Sequence, residues 1–330
     1  MKKGFEAIKN NRNFGLLAGF AVILIAARIL TPRMYSVNSI MNMLRNYSIY
    51  AFLSAGMMLV IITGGIDLSI GSTLSLVGVI CSFGLIAHPG IPGIVWLFLG
   101  MLIGLVCGLV NGFLVGYLKI VPMIATLGTM YIYRGMSFLL SGGAWCFPQH
   151  YTESYTNIAL RKIAGVNSII WIAIIVFVLL GIFMEFTTGG RRIYAVGTNE
   201  ESARIAGINK ARVLLLAYGL EGMLAGVAGM LYTSNYALCF YGMGEGYEMT
   251  AIAICILGGV SIRGGRGKTD SVALACVLMS VITYFISLLP GLSVYQNVLQ
   301  AVIIAGSVGI NNYVSHLGRL SALRRKGELM

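Results

Sequence analysis

The sequence predicts an all-α protein, a polytopic bundle of about ten transmembrane helices with both termini in the cytoplasm. Three observations carry that expectation. Among 330 residues only 10% are charged and 58% are hydrophobic, whereas an ordinary soluble domain carries roughly 25% charged residues. Mean hydropathy is +0.86. The apolar residues also fall in unbroken runs rather than in the polar/apolar alternation of barrel strands. A soluble fold of this length lacks the polar surface it needs, so a soluble enzyme, a disordered chain and a secreted disulfide scaffold are all excluded.

A membrane helix needs about 20 mostly apolar residues to cross a core roughly 30 Å thick. Such runs occupy residues 14–30 and 48–63, then 70 to just before His88-Pro89-Gly90. Others lie at 94–118, 122–140, 168–187, 214–232, 249–260, 271–289 and 295–313. Gly, Pro or short length interrupts the third, fifth and eighth. The chain reads as a single transmembrane domain, 1–330, with a tail at 1–13, an inner loop at 188–212 and a second tail at 314–330. Residues 2–27 could pass for a signal peptide, but no clean small-residue cleavage site follows, and an uncleaved first helix is expected.

Charge placement tests the count independently. With ten spans and an inner N-terminus, most Lys and Arg gather on one side, at Lys2, Lys3, Lys9, Arg12, Lys119, Arg191, Arg192, Arg204, Lys210, Arg212, Arg263, Arg266, Lys268 and the C-terminal tail. The other side receives Arg28, Arg33, Arg45, Arg161 and Lys162. Cytoplasmic loops carry such an excess. The net charge of +12 is therefore topology and not a nucleic-acid footprint.

The six cysteines, Cys81, Cys107, Cys146, Cys239, Cys255 and Cys276, show no CxxC or metal spacing. Four lie in apolar runs as small hydrophobes. Cys146 and Cys239 fall on or near the outer side and could pair. His88, His150 and His316 are isolated. No metal site and no catalytic constellation is expected. Gly267-Lys268-Thr269 is no phosphate loop, since Ile262 stands where the earlier Gly is required.

Three features rise above composition. Gly100, Gly104, Gly108, Gly112 and Gly116 recur every fourth residue in the fourth run, on one helix face, where glycine lets two backbones approach closely. Packing is the favoured reading, a conduit lining the other. The loop Gly64-Gly65-Ile66-Asp67-Leu68-Ser69-Ile70-Gly71-Ser72 puts a carboxylate between two apolar helices, at an interface, in a protein-lined cavity or as a helix N-cap. With the pair Gly264-Gly265 it falls on the inner side, so Asp67, Ser69, Gly264 and Gly265 are assigned to the inner mouth. The third feature is residues 189–209, where Asn199 or Thr198 can cap a short helix, Glu200 and Glu201 fill its first turn and Gly207 suits its end. Its small residues Ala203 and Ala206 favour a surface docked by a soluble partner over a membrane-surface helix, which usually presents Trp, Phe or Leu.

The segments GGIDLSIGS (64–72), ATLGTMYIYRG (125–135), GRRIYAVGTNEESARIAGI (190–208) and EGYEMTAIAICILGGVSIRGGRG (245–267) are similar, in this order, to those of ribose-type sugar ABC importer permeases. The chain more distantly resembles the branched-chain amino-acid permeases of the same superfamily. It departs from the pattern at Lys268 and Asp270, and at Asn311 and Asn312. The resemblance implies a bacterial inner-membrane permease working as a homo- or heterodimer with two cytoplasmic ATPases and a periplasmic substrate-binding protein. ATP and Mg would sit on the ATPases, with no cofactor in this chain. It further implies that the short helix couples to the ATPase, through Arg191, Arg192, Asn199, Glu201, Ala203, Arg204 and Gly207. The solute would be a pentose, a deoxyhexose or a sugar-like signal, and the transport cycle alternating access.

Arg134 and Glu221 are the ionisable residues placed well inside runs, and an intramembrane charge faces the bundle or a cavity. With Asn111, Thr126, Tyr131 and Ser137, which offer groups matched to sugar hydroxyls, they are candidates for the translocation path. Arg33, Arg45, Glu153, Arg161 and Lys162 are candidates for docking the binding protein. The competing class is a secondary transporter driven by an ion gradient, which wants a coupling site near the midplane. With Glu221 nearly alone, the scarcity of buried carboxylates speaks against it.

Overall fold

The computed structural model describes residues 31–289, with Arg28 and residues 291, 295, 298, 302 and 306 as isolated positions. Apart from those positions, the expected spans 14–30 and 295–313 and the tails 1–13 and 314–330 lie outside the described residues, as do Asn311 and Asn312. The chain divides into two compact units, residues 41–276 and a second made of 1–40 and 277–330.

Eleven α-helices are described, and among the described residues the only strands are the two of one short hairpin, two residues each. After a 3-10 turn at Pro32–Tyr35, α1 spans Val37–Ile62 and α2 Ile70–Ala87. Next come α3 (Gly93–Gly116), α4 (Pro122–Ser141) and the short α5 (Glu153–Leu160). The hairpin strands β1 (Lys162–Ile163) and β2 (Val166–Asn167) lead into α6 (Ser168–Phe186). Helices α7 (Thr188–Thr198) and α8 (Glu200–Ile205) precede the long α9 (Lys210–Tyr236), α10 (Tyr247–Leu257) and α11 (Thr269–Leu288).

Among the described residues six helices, α1, α2, α3, α6, α9 and α11, are long and apolar enough to cross a membrane. Helix α4 has the length, 20 residues, but Thr126, Thr129, Tyr133, Arg134 and Ser137 make it too polar to qualify. The expected eighth span is corrected: α10 has 11 residues, about 16 Å at 1.5 Å per residue, which is half a crossing. Helix α1 begins at Val37 rather than near 48. No Gly or Pro breaks the backbone there, and only the polar side chains of Asn42, Arg45 and Asn46 ended the apolar run.

Burial separates centre from rim. In α1 83% and in α9 78% of the most apolar window is buried inside the protein, against 28% in α6, whose Ile174, Ile175, Val178 and Leu179 face outward. Helix α9 packs most extensively on α3, and the five-glycine face of α3 is its contact surface. A Cβ at Gly104 would lie 2.2 Å from the Gly222 carbonyl oxygen, and one at Gly108 2.0 Å from that of Tyr218. The stripe is a packing surface. Helix α4 buries Ala125, Thr126, Thr129, Tyr133, Ser137 and Ser141, the three- and four-residue spacing of one face, and leaves Leu127, Tyr131 and Ile132 exposed. Pro122 opens it at a position where no amide hydrogen is needed. Gly142, at φ 58°, closes it in the left-handed conformation.

Candidate functional site

Three segments far apart in sequence meet at one end of residues 41–276, and they touch through backbone. Loop 63–69 turns at Gly64, where φ is 87°. The 261–267 turn is closed by Ser261 N–H donating to the Arg266 carbonyl at 2.9 Å, and it passes through Gly264 and Gly265 at φ 82° and 72°. The Gly265 amide donates to the Ile62 carbonyl at 2.8 Å, tying this turn to the end of α1. Helix α7 lies against both. A Cβ at Gly197 would come within 1.7 Å of the Ile62 carbonyl oxygen and 2.7 Å of the Gly265 nitrogen. Tyr194 adds a hydrogen bond from Oη to the Gly267 carbonyl at 2.8 Å. Lys119, Arg191, Arg192, Arg204, Lys210, Arg212, Arg263, Arg266 and Lys268 belong to the segments at this end, which is therefore the basic one.

Helix α8 projects from that platform. The Asn199 side chain accepts from the Ser202 amide at 2.8 Å, so Asn199 and not Thr198 is the cap, and Glu200 and Glu201 stand beside the positive helix end. Gly207 stops the segment at φ 77°. Ala203 is the buried anchor, while Arg191, Arg192, Asn199, Glu201, Arg204 and Gly207 are exposed. Glu201 and Arg204 form a two-pronged ion pair at 2.6 and 3.0 Å. The guanidinium holds the Glu201 carboxyl below the usual carboxylate range, an exposed effect of little energetic weight. Lys210 reaches Glu200 at 2.5 Å. Ile205, 77% exposed, is the apolar residue of this helix left facing outward.

Beneath the platform lies a buried polar cluster. Asp67 accepts from the Ser69 amide at 2.6 Å, from Ser69 Oγ at 2.7 Å and from Asn111 Nδ2 at 2.9 Å. The Asn111 amide also donates to Ser69 Oγ at 2.7 Å, and its oxygen accepts from Thr129 Oγ1 at 2.7 Å. Thr126 ties the loop to α4, accepting from the Leu68 amide at 3.1 Å. Glu221 of α9 lies beside the Asp67 side chain. Asp67, Ser69, Asn111, Thr126 and Glu221 are all buried, and Gly56 of α1 presses on Glu221, with a Cβ there only 3.0 Å from its Cα. Glu221 Oε1 and Tyr218 Oη have no hydrogen-bond partner among the described residues.

The remaining predicted residues scatter. Ser137 is buried and donates to the Tyr133 carbonyl at 2.8 Å. Tyr131 is 67% exposed on the outer face of α4. Arg134 lies toward the opposite end, donating to the Tyr241 and Met243 carbonyls at 2.7 Å each. Glu153, Arg161 and Lys162 are exposed at that end. Arg45 sits half-buried inside α1 rather than in a loop, and its Nε has no partner among the described residues. Arg33 falls in the 3-10 turn, and its side chain lies outside the described residues.

Gly197, Tyr194 and Thr129 were not singled out by residue type, although the first two stand inside the GRRIYAVGTNE stretch; Ile205, with Ala203 and Ala206, was read as part of the partly apolar surface of the docking helix. An isolated Gly at the end of a helix was the available signal for Gly197, since close backbone approach is one reason for such a residue.

Among the described residues, six helices long and apolar enough to cross a membrane, together with the basic end, define a multi-pass integral membrane protein of the helical class. Residues 39–308 match the family profile described as "Branched-chain amino acid transport system / permease component". The chain belongs to this permease family, whose members are transport components and not enzymes. It is 33% identical to the ribose import permease protein of Bacillus subtilis (strain 168), over 89% of this chain and 90% of that one. Identity to the ribose import permease protein of Escherichia coli (strain K12) is 31%, over 90% and 92%. The autoinducer 2 import system permease protein of Shigella flexneri is 31% identical over 86% and 81%. No solved structure matches the chain.

Proposed function

We propose that this chain is the membrane-spanning permease subunit of an ATP-driven importer in the bacterial inner membrane, carrying a small sugar or sugar-like solute. Two permease subunits, identical or paired with a sister chain, enclose the path. Two cytoplasmic ATPases bind ATP and Mg, and a periplasmic binding protein delivers the solute, docking near Arg33, Arg45, Glu153, Arg161 and Lys162. The observation that carries this reading is α8. A capped helix with Ala203 buried presents Arg204 and Ile205 outward. It follows directly on α7, whose Gly197 lies against the end of α1, so a push on α8 reaches Ile62 through backbone contacts. ATP acts by binding one of two states more tightly, and the interlocked platform transmits that preference.

For the path, the exposed face of α4, with Tyr131 and Arg134, borders the solute. Asn111, Thr126, Ser137 and Glu221 set the wall behind it. ATP-dependent uptake of a labelled pentose into proteoliposomes containing the whole complex tests the assignment. A second reading rests on the Asp67–Glu221 pair: Glu221 is not alone, and two neighbouring buried carboxyl groups suit an ion-driven carrier. Uptake that persists without the ATPases and collapses with a protonophore would establish that reading instead. Uptake of leucine in preference to any sugar would point to the amino-acid branch of the family.

A further inference from the structure

We propose that Cys146 and Cys239 close an intramolecular disulfide that staples segment 142–152 to segment 237–246 on the extracytoplasmic face of the protein. The two residues exchange both backbone hydrogen bonds, Cys146 N–H to the Cys239 carbonyl at 2.9 Å and Cys239 N–H to the Cys146 carbonyl at 3.1 Å, as an isolated antiparallel bridge. A pair of that kind has its Cα atoms about 5.5 Å apart with side chains on the same side of the ladder. Disulfides span Cα separations of about 4.4–6.8 Å, and the spacing of such a pair falls within that range. Both side chains are buried, and each thiol lies within the electrostatic reach of the other.

The flanking residues are already fixed. Trp145 stacks on Phe240 with ring centroids 4.5 Å apart, and Tyr151 Oη donates to Ser82 Oγ at 2.9 Å. Arg134 clamps the carbonyls of Tyr241 and Met243. Cys81, a third thiol near the pair, is engaged elsewhere, donating to the Trp96 carbonyl at 3.6 Å.

The inference rests on the orientation reading, in which the end opposite the basic platform faces the oxidising compartment where disulfides persist. The oxidant is an exchange-competent disulfide of that compartment, protein or small-molecule. Cys146, as the attacking thiolate, begins the exchange. Its sulfur bonds one sulfur of the oxidant, whose own S–S bond breaks and whose second sulfur leaves. Cys239 then gives up its proton and attacks the Cys146 sulfur of the mixed disulfide, expelling the first sulfur of the oxidant. The cysteines lose two electrons and two protons, and the oxidant takes them up as two thiols.

The test counts thiols on the full chain. Cells are acid-quenched and denatured, and free thiols receive a mass-tagged maleimide before and after reduction. With six cysteines in the chain, four tags are expected before reduction and six after. Cys146→Ser and Cys239→Ser should each give five tags in both conditions, and Cys81→Ser three and then five. Six tags before reduction in the unaltered chain would overturn the proposal. In parallel, Asn157→Cys is probed on intact cells with a membrane-impermeant maleimide. If it labels while six thiols are free, the orientation stands and the pairing fails; if it does not label, the orientation itself fails and the proposal with it.

Discussion

At the basic end, segments 63–69, 188–198 and 261–267 meet through backbone, with glycines where any Cβ would collide. At the opposite end one backbone bridge, Cys146 with Cys239, stands beside several side-chain connections: Arg134 on two carbonyls, Tyr155 Oη with Thr233 Oγ1 at 2.6 Å, Ser234 Oγ to the Tyr155 carbonyl at 2.8 Å and Ser154 Oγ accepting from the Gly93 amide at 2.9 Å. Backbone contact is short and stiff, and a displacement at α8 cannot be absorbed by a rotamer change before it reaches Ile62. Side-chain tethers can rearrange one at a time, which makes this the more compliant end. In the proposed importer, force enters at the stiff end and solute is handed over at the compliant one.

The largest expected effect comes from breaking the stiff end. Gly197→Val places side-chain atoms where the Ile62 carbonyl and Gly265 amide now touch, and overpacking of this kind costs about 3 kcal/mol. The thermal midpoint of the solubilised protein should fall by several degrees and transport should be lost. An unchanged midpoint would mean that α7 is not seated on that loop.

Next is the buried cluster. Asp67→Ala leaves the Ser69 amide without its acceptor and takes from Asn111 Nδ2 one of its two, Ser69 Oγ remaining, at roughly 1–3 kcal/mol for the buried donor left unpaired. Asp67→Asn keeps one acceptor oxygen and should lose clearly less stability. Equal midpoints for the two variants would contradict the hydrogen-bond geometry.

At the compliant end, Arg134→Ala removes two charge-assisted bonds of about 1.5–3 kcal/mol each, but the loss should stay local. Amide hydrogen exchange should accelerate in 237–246 while 188–205 remains as protected as before. Faster exchange at both ends would erase the contrast between them. Smallest is Glu201→Gln, which opens an exposed ion pair on α8. The midpoint should not move measurably, and ATPase association should weaken only modestly and in a salt-dependent way; a large drop in stability would sink the description of α8 as a free-standing docking helix.

Much of this was legible in local sequence. Helices α2, α4 and α6 begin and end within a residue or two of their expected limits, because Pro122, Gly142 and the His88-Pro89-Gly90 turn are strong local punctuation. The α8 cap was readable for the same reason, as Asn199 bonds within its own turn. The glycine spacing in α3 named a close-packed face, although not its partner α9. Helix α7 was hidden: Gly189 and Gly190 read as loop, but the Thr187 side chain caps the helix by accepting from the Gly190 amide at 3.2 Å. The meeting of Asp67 with Glu221 was also out of reach. It depends on loop 63–69 folding back between helices, which only tertiary packing decides. The short α10 was missed because a chain of apolar residues does not announce where its helix stops at Gly258.

The central claim is that α8 is the surface through which an ATPase drives this permease. It is tested most directly by Ile205→Glu in the tagged full-length chain, with co-purification of the ATPase subunits as the readout. Ile205 is outward-facing, so the variant should fold and elute as the unaltered protein does. The amount of ATPase retained should fall at least tenfold. Retention of ATPase at the unaltered level, with ATP-driven uptake intact, would contradict the account.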